Sequence, residues 1–229
     1  MASFPTTRWS LVLHAAGPAA CHSAVCELCS RYWPPVYAFI RREVREPEEA
    51  KDLTQDFFLR LLEKHDLLPT RAEHSRFRSF LLVAIRHFLS NQRDRVRAKK
   101  RGGGIVPFPL DFDEGGRREP VDSLTPEKVF EREWAVTLVD ETLRALRLEC
   151  EAAGKGSQFE ALKQCLAGEA SGTYEQIGSG LGMTEGAVKV AVHRLRRRFR
   201  ALLREEIAET VADPADVDDE LRYLFSVLS

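Results

Sequence analysis

Glu185, Lys189, His193, Arg194, Arg196 and Arg197 fall within one helical stretch near the C-terminus. Lys and Arg there can grip phosphate oxygens, while Glu185, Lys189, His193 and the preceding Thr184 can exchange hydrogen bonds with base edges in a duplex groove. This is recognition chemistry rather than bond-making chemistry. The 229 residues contain no P-loop, dinucleotide fingerprint or nucleophile elbow, so the expectation is a protein that is not an enzyme. One metal-like spacing occurs, His22, Cys26 and Cys29 with Cys21 adjacent, and thiolates plus imidazole suit zinc. No fourth ligand is evident, and a free cysteine packs as a small hydrophobe. Buried thiols on an N-terminal helix are therefore expected, with no metal and no cofactor.

The basic side chains need a helix pair to hold them. In TYEQIGSGLGMTEGAVKVAVHRLRRRFR (173–200), Thr173 stands three residues before Gln176, which is capping-box spacing. Ile177 and Leu181 form one apolar stripe. Gly182 ends the first helix with a residue that tolerates positive φ, and Thr184 caps the second. Val188, Ala191, Val192 and Leu195 face the first helix, and Phe199 and Leu202 extend that stripe. Helix, glycine turn and basic helix make the helix-turn-helix plan, whose second helix fits a major groove. An αα-hairpin with a solvated basic face is the plainer alternative, but caps, turn and charge all agree with the first.

Net charge conceals the distribution. The total is −1, yet Lys189–Arg204 carries seven Lys or Arg and no acid, whereas Glu205–Glu220 carries eight acids and no base. A second basic run lies between Arg71 and Arg101. Two basic patches are the footprint of a polyanion binder. No apolar run approaches the roughly 20 residues needed to cross a bilayer, and the N-terminus lacks the pattern of a signal peptide. With five cysteines, an odd number, reduced thiols and a cytoplasmic location are expected.

Elsewhere the apolar spacing is helical and no sustained alternation suggests a strand, so the fold class expected is all-α. Short helices are predicted at the N-terminus. Pro34-Pro35 is read as a break between a helix over about 19–32 and another over about 35–45. Pro47 opens the next helix at its first position, with Ala50, Leu53, Phe57, Leu61 and Leu62 inward and Asp52, Gln55, Asp56 and Arg60 outward. A long helix over about 77–100 buries Phe77, Phe80 and Phe88 and turns basic in its second half. Residues 102–125 are rich in Gly, Pro and acids and read as a linker. Thr125-Pro126 starts a further helix with a wide apolar face, and Gly154-Lys155-Gly156 ends it.

In this order the parts resemble bacterial sigma-70-type initiation factors of the small extracytoplasmic-function class. Two stretches carry the resemblance: YWPPVYAFIRREVREPEEAKDLTQDFFLRLLE (32–63) with FRSFLLVAIRHFLSNQRDRVRAKKR (77–101), and TYEQIGSGLGMTEGAVKVAVHRLRRRFRALL (173–203). The resemblance implies two helical domains. Residues 1–101 would be domain two with an N-terminal extension, 102–125 the linker, 126–207 domain four, and 208–229 an acidic extension. It implies core RNA polymerase and promoter DNA as partners, and leaves an anti-sigma factor open as a third.

The implied roles follow the motifs. Ala50, Asp52, Gln55 and Phe58 match the family helix that docks on the clamp helices of the polymerase large subunit, with Asp56 and Arg60 on the same polar face. Arg78 and Arg86, with Asn91, Gln92, Arg93 and Arg95 downstream, fall where the family reads the melted −10 strand. Thr184, Glu185, Lys189 and His193 would meet base edges of the −35 duplex, and Arg194, Arg196 and Arg197 its phosphates. Departures exist. Phe80 replaces the usual Trp, which still permits packing; His87 replaces the usual Asn and Asn91 the usual Asp, and these two bear on base identity. The usual Leu-Pro start of domain four is missing. A helix-turn-helix regulator acting on duplex DNA without polymerase docking is the alternative function. For the tail, the alternatives are a simple extension of the last helix, or acids that fold back on the Arg-rich recognition helix with Leu221, Leu224 and Phe225 as an anchor.

Overall fold

Helix boundaries follow the capping chemistry of the chain. The computed structural model describes residues 22–63, 76–101, 124–166 and 173–229. Its helices are α1 (His22–Glu43), α2 (Pro47–Glu63), α3 (Phe77–Arg101), α4 (Pro126–Ala152), α5 (Gly156–Leu162), α6 (Tyr174–Leu181), α7 (Glu185–Ala208) and α8 (Val217–Leu228). Short 3-10 turns at Lys163–Leu166 and Pro214–Asp216 follow α5 and precede α8. Among the described residues there is no β-strand, so the architecture there is all-α. The predicted linker 102–125, up to residue 123, and the predicted helix before residue 22 lie outside the described residues.

The chain divides into two compact units. One takes residues up to Thr137 together with Ala208–Ser229, and the other takes Leu138–Ile207. The division falls inside α4 and at the end of α7. Residues 126–137 and the C-terminal segment thus group with the N-terminal unit, whereas the resemblance implied a second domain starting at 126.

In the first unit α1 packs along α2. Pro34 and Pro35 do not break α1 but lie within it, against the expected boundary. Each proline forfeits a backbone donor. Burial of Leu28, Tyr32, Val36, Phe39 and Ile40 on one stripe, with Pro35 among them, holds the helix through the gap. Aromatic rings close the core: Tyr32 lies edge-on to Phe77 at 4.8 Å, Trp33 stacks on Phe58 at 5.9 Å, and Phe57 meets Phe88 at 5.7 Å. Phe77, Phe80 and Phe88 are buried, as their place on the apolar stripe required.

The C-terminal segment belongs to this unit by specific bonds. The Phe77 amide donates to the Thr210 carbonyl at 2.9 Å. Glu220 on α8 pairs with Arg78 and Arg76 on and before the first turn of α3. The sequence had offered the Arg-rich helix α7 as a seat for the acids 205–220; Glu205 does pair with Arg198 of α7, but Glu220 of α8 is seated at the start of α3 instead. The reason is the inward stripe of α8, which is Val217, Glu220 and Leu224. A buried carboxylate between two aliphatic residues requires a seat that is both apolar and cationic. Leu224 is buried in it, while Phe225 stays half outside.

In the second unit α5, α6 and α7 enclose a small core of Leu162, Cys165, Val188 and Val192, with Ile177, Leu181 and Leu195 packed against it. A second cluster joins Leu146, Phe159 and Leu202, flanked by Phe199. The apolar stripe read from the sequence is the stripe the structure buries.

Candidate functional site

The α6–α7 pair is built as its residue types demand. The Thr173 hydroxyl accepts from the Gln176 amide at 3.3 Å, and the Gln176 side chain accepts from the Thr173 amide at 3.0 Å, so the capping box is complete. Gly182 has φ +65°, and the Met183 amide returns to the Gly178 carbonyl at 2.8 Å to close the turn. Thr184 caps α7 by accepting from the Ala187 amide at 3.2 Å, which leaves its hydroxyl engaged at the helix start.

On α7, spacings of three and four residues put Glu185, Lys189, His193, Arg197 and Arg200 along one side, and all five are exposed. Glu185 and Lys189 form an ion pair at 2.7 Å, whose hydrogen bond raises the Lys189 pKa. Arg194 is exposed on a neighbouring flank. Two arginines of the run are spent internally. Arg196 is half-buried and donates Nε to the Cys165 carbonyl at 3.1 Å. Arg198 holds Glu149 at 2.6 Å and Glu205 at 3.1 Å, and its hydrogen bond pulls the Glu149 carboxyl below its ordinary range. The basic run is therefore partly grip and partly structural tie. Of the residues assigned to the −35 duplex, Arg196 is the one the structure ties to its own backbone.

In the first unit, α2 turns Asp52, Gln55 and Asp56 outward. Leu59 lies on the same side and is 52% exposed. Sequence reasoning passed over it, although an apolar residue off the buried stripe was the available signal. Phe58 stands 3% exposed in the core, stacked on Trp33, so it sets the seat of α2 rather than facing a partner. Arg60 is half-buried with its guanidinium 5.1 Å above the Phe88 ring.

The α3 candidates split. Asn91 and Arg95 are exposed and Gln92 is half-buried. Arg93 pairs with Glu43 of α1. Arg86 pairs with Glu127 at the start of α4, at 2.6 Å. Burial works to raise the Glu127 pKa, but the Arg86 hydrogen bond and helix-start donors outweigh it and leave the carboxyl below its ordinary value. Arg78 is 7% exposed and fully engaged, with Glu220 on Nε and Nη2 and Glu131 on Nη1 at 3.4 Å. Its guanidinium carbon lies 3.8 Å from the centre of the Tyr223 ring and 5.5 Å from that of Trp134. The structure thus removes Arg78 from the surface assigned to it. Its partners stand up to 142 positions away, and nothing local in the sequence marks them.

The metal-like spacing receives no geometry: the side chains of His22 and Cys26 lie outside the described residues, and Cys29 is half-buried. No helix among the described residues is long and apolar enough to cross a membrane.

Comparison with known proteins adds a direct likeness. Residues 28–101, which span most of α1 and all of α2 and α3, match the family model for sigma-70 region 2. The ECF RNA polymerase sigma factor SigE of Mycolicibacterium smegmatis is 26% identical over 200 residues, covering 87% of this chain and 69% of that protein. No solved structure matches.

Proposed function

We propose that this chain is a member of the sigma-70 family, in its extracytoplasmic-function class, a reading supported by the region 2 match and by the likeness to an ECF sigma factor. As an RNA polymerase sigma factor it acts in transcription initiation. In our reading it binds core polymerase through the outer face of α2 and directs the enzyme to promoters in the cytoplasm. It meets the −35 duplex through α7 and the melted −10 strand through the second half of α3. It makes no bonds itself; its binding energy selects the site and holds the opened strand. The observation that carries this reading is the coincidence of region 2 with α1–α3, where α2 presents Asp52, Gln55, Asp56 and Leu59 on one exposed side. A carboxylate–amide face with an apolar centre suits a partner protein helix better than a phosphate backbone.

Two chemistries are needed at a promoter. On α7, Glu185, Lys189 and His193 are placed to meet base edges, with Arg194, Arg197 and Arg200 for phosphates. On α3, Asn91 and Gln92 can hydrogen-bond unpaired bases, and Arg95 supplies charge beside them.

Capture of core polymerase by the full chain, followed by run-off transcription, tests the reading. Wild type should bind core. The Asp52→Ala/Gln55→Ala pair should lose about tenfold in capture, and Leu59→Ala should weaken it in the same direction. Absence of core binding, or capture indifferent to these changes, would sink the sigma assignment. Duplex binding without core capture would instead identify a helix-turn-helix regulator.

A further inference from the structure

We propose that the C-terminal segment is a latch: α8 withdraws Arg78 from nucleic acid in the free protein, and single-stranded DNA must displace α8 to reach it. The inference rests on the reading above that the second half of α3 meets the opened strand, and extends that contact to the first turn of the same helix. Arg78 stands in the first turn of that helix, yet all of its charge is taken up in cis. Glu220, which is 0% exposed, accepts from Nε and Nη2, while Glu131 accepts from Nη1. Tyr223 covers one side of the guanidinium, with its ring centre 3.8 Å from the guanidinium carbon. Arg76, one residue before α3, is claimed as well, by Glu220 at 3.2 Å and Asp216 at 3.7 Å.

Three features make this an exchangeable contact. A guanidinium fork accepts a phosphate in the same two-point geometry as a carboxylate, so Arg78 can pass from Glu220 to a strand without losing its counter-charge. The element that must leave is small and terminal: α8 has 12 residues and buries only Val217, Glu220 and Leu224. The chain leading to it is exposed from Ala212 to Ala215 and supplies a hinge. Short terminal helices with few buried contacts open at less cost than interior ones. Release also frees Glu220 to water, which lessens the cost of separating the pair.

The test compares full-length wild type with Glu220→Gln and Asp219→Asn for affinity to a single-stranded DNA oligonucleotide, by fluorescence anisotropy at fixed salt. Both variants remove one negative charge from α8. Asp219, however, is exposed and pairs with Arg222 of the same helix. Glu220→Gln should bind about tenfold tighter, with Asp219→Asn unchanged. Equal affinity in all three, or an equal gain in both variants, would overturn the latch. Hydrogen exchange of residues 217–228 in wild type decides the matter without any substitution, should Glu220→Gln fold poorly. Protection should fall when oligonucleotide binds, and unchanged protection with bound oligonucleotide would refute displacement. Core capture by wild type is scored separately: its failure counts against the sigma reading, whereas core capture with indifferent oligonucleotide affinity counts against the latch alone.

Discussion

Tyr223 reports on its surroundings through its proton. Burial, a hydrogen bond to Glu131 and the nearby negative charge push the phenol up to about 12. The folded form therefore holds the proton more tightly than the unfolded chain does. The associated stability is complete below the ordinary value of 10.0 and is lost as pH rises from there toward about 12. A tyrosinate absorbance titration of wild type minus Tyr223→Phe should show a transition near pH 12; a midpoint near 10 would mean that α8 is not seated on Glu131. Individual roles were unevenly legible. Asp52, Gln55, Lys189 and His193 fall where helical spacing puts them, on exposed faces. Phe58 and Arg78 were read as surface contacts because each matches a motif position, and a motif does not say which way a side chain turns. Phe58 turns into a stack with Trp33, and Arg78 into a carboxylate pair.

The α6–α7 turn was almost wholly readable, because caps, glycine and apolar stripe are local and all favour one geometry. Its two glycines in α6 separate packing from propensity. A Cβ at Gly178 would stand 2.5 Å from the Met183 carbonyl oxygen and 3.3 Å from Val188, so Gly178→Ala should cost about 1–3 kcal/mol. A Cβ at Gly180 would meet nothing within 4 Å, so Gly180→Ala should stabilise by about 0.5–1 kcal/mol through helix propensity. Urea unfolding followed by circular dichroism distinguishes the two, and the same sign for both would mean that the turn tolerates a shift of α7. In α1 local reading failed, since Pro34-Pro35 is a strong break signal by itself. What carries the helix across it is a buried stripe on both sides, from Leu28 to Ile40, and packing outweighs propensity there.

For the chain as a whole, the C-terminal segment is part of the first unit rather than an appendage. Deleting residues 208–229 should lower hydrogen-exchange protection in the first turns of α3, where Phe77 loses its bond to the Thr210 carbonyl and Arg78 its carboxylate. Protection within α6 and the first half of α7 should persist, because their core is Leu162, Cys165, Val188 and Val192. The opposite pattern would assign the segment to the second unit. Helical class, caps, the turn between α6 and α7 and the two basic runs are consequences of spacing and residue type, and these the amino-acid order determines alone. Where the acids of α8 go is different in kind. Eight acids follow seven bases along the chain, so proximity in sequence favours the neighbouring arginines of α7. Charge attraction in water is weak and unselective, however, and a pairing becomes definite only where burial strengthens it. Trp134, Tyr223 and Glu131 form that buried place around Arg78, from elements distant in sequence. Tertiary packing therefore chose the partner, because it alone decides which cation is withdrawn from solvent.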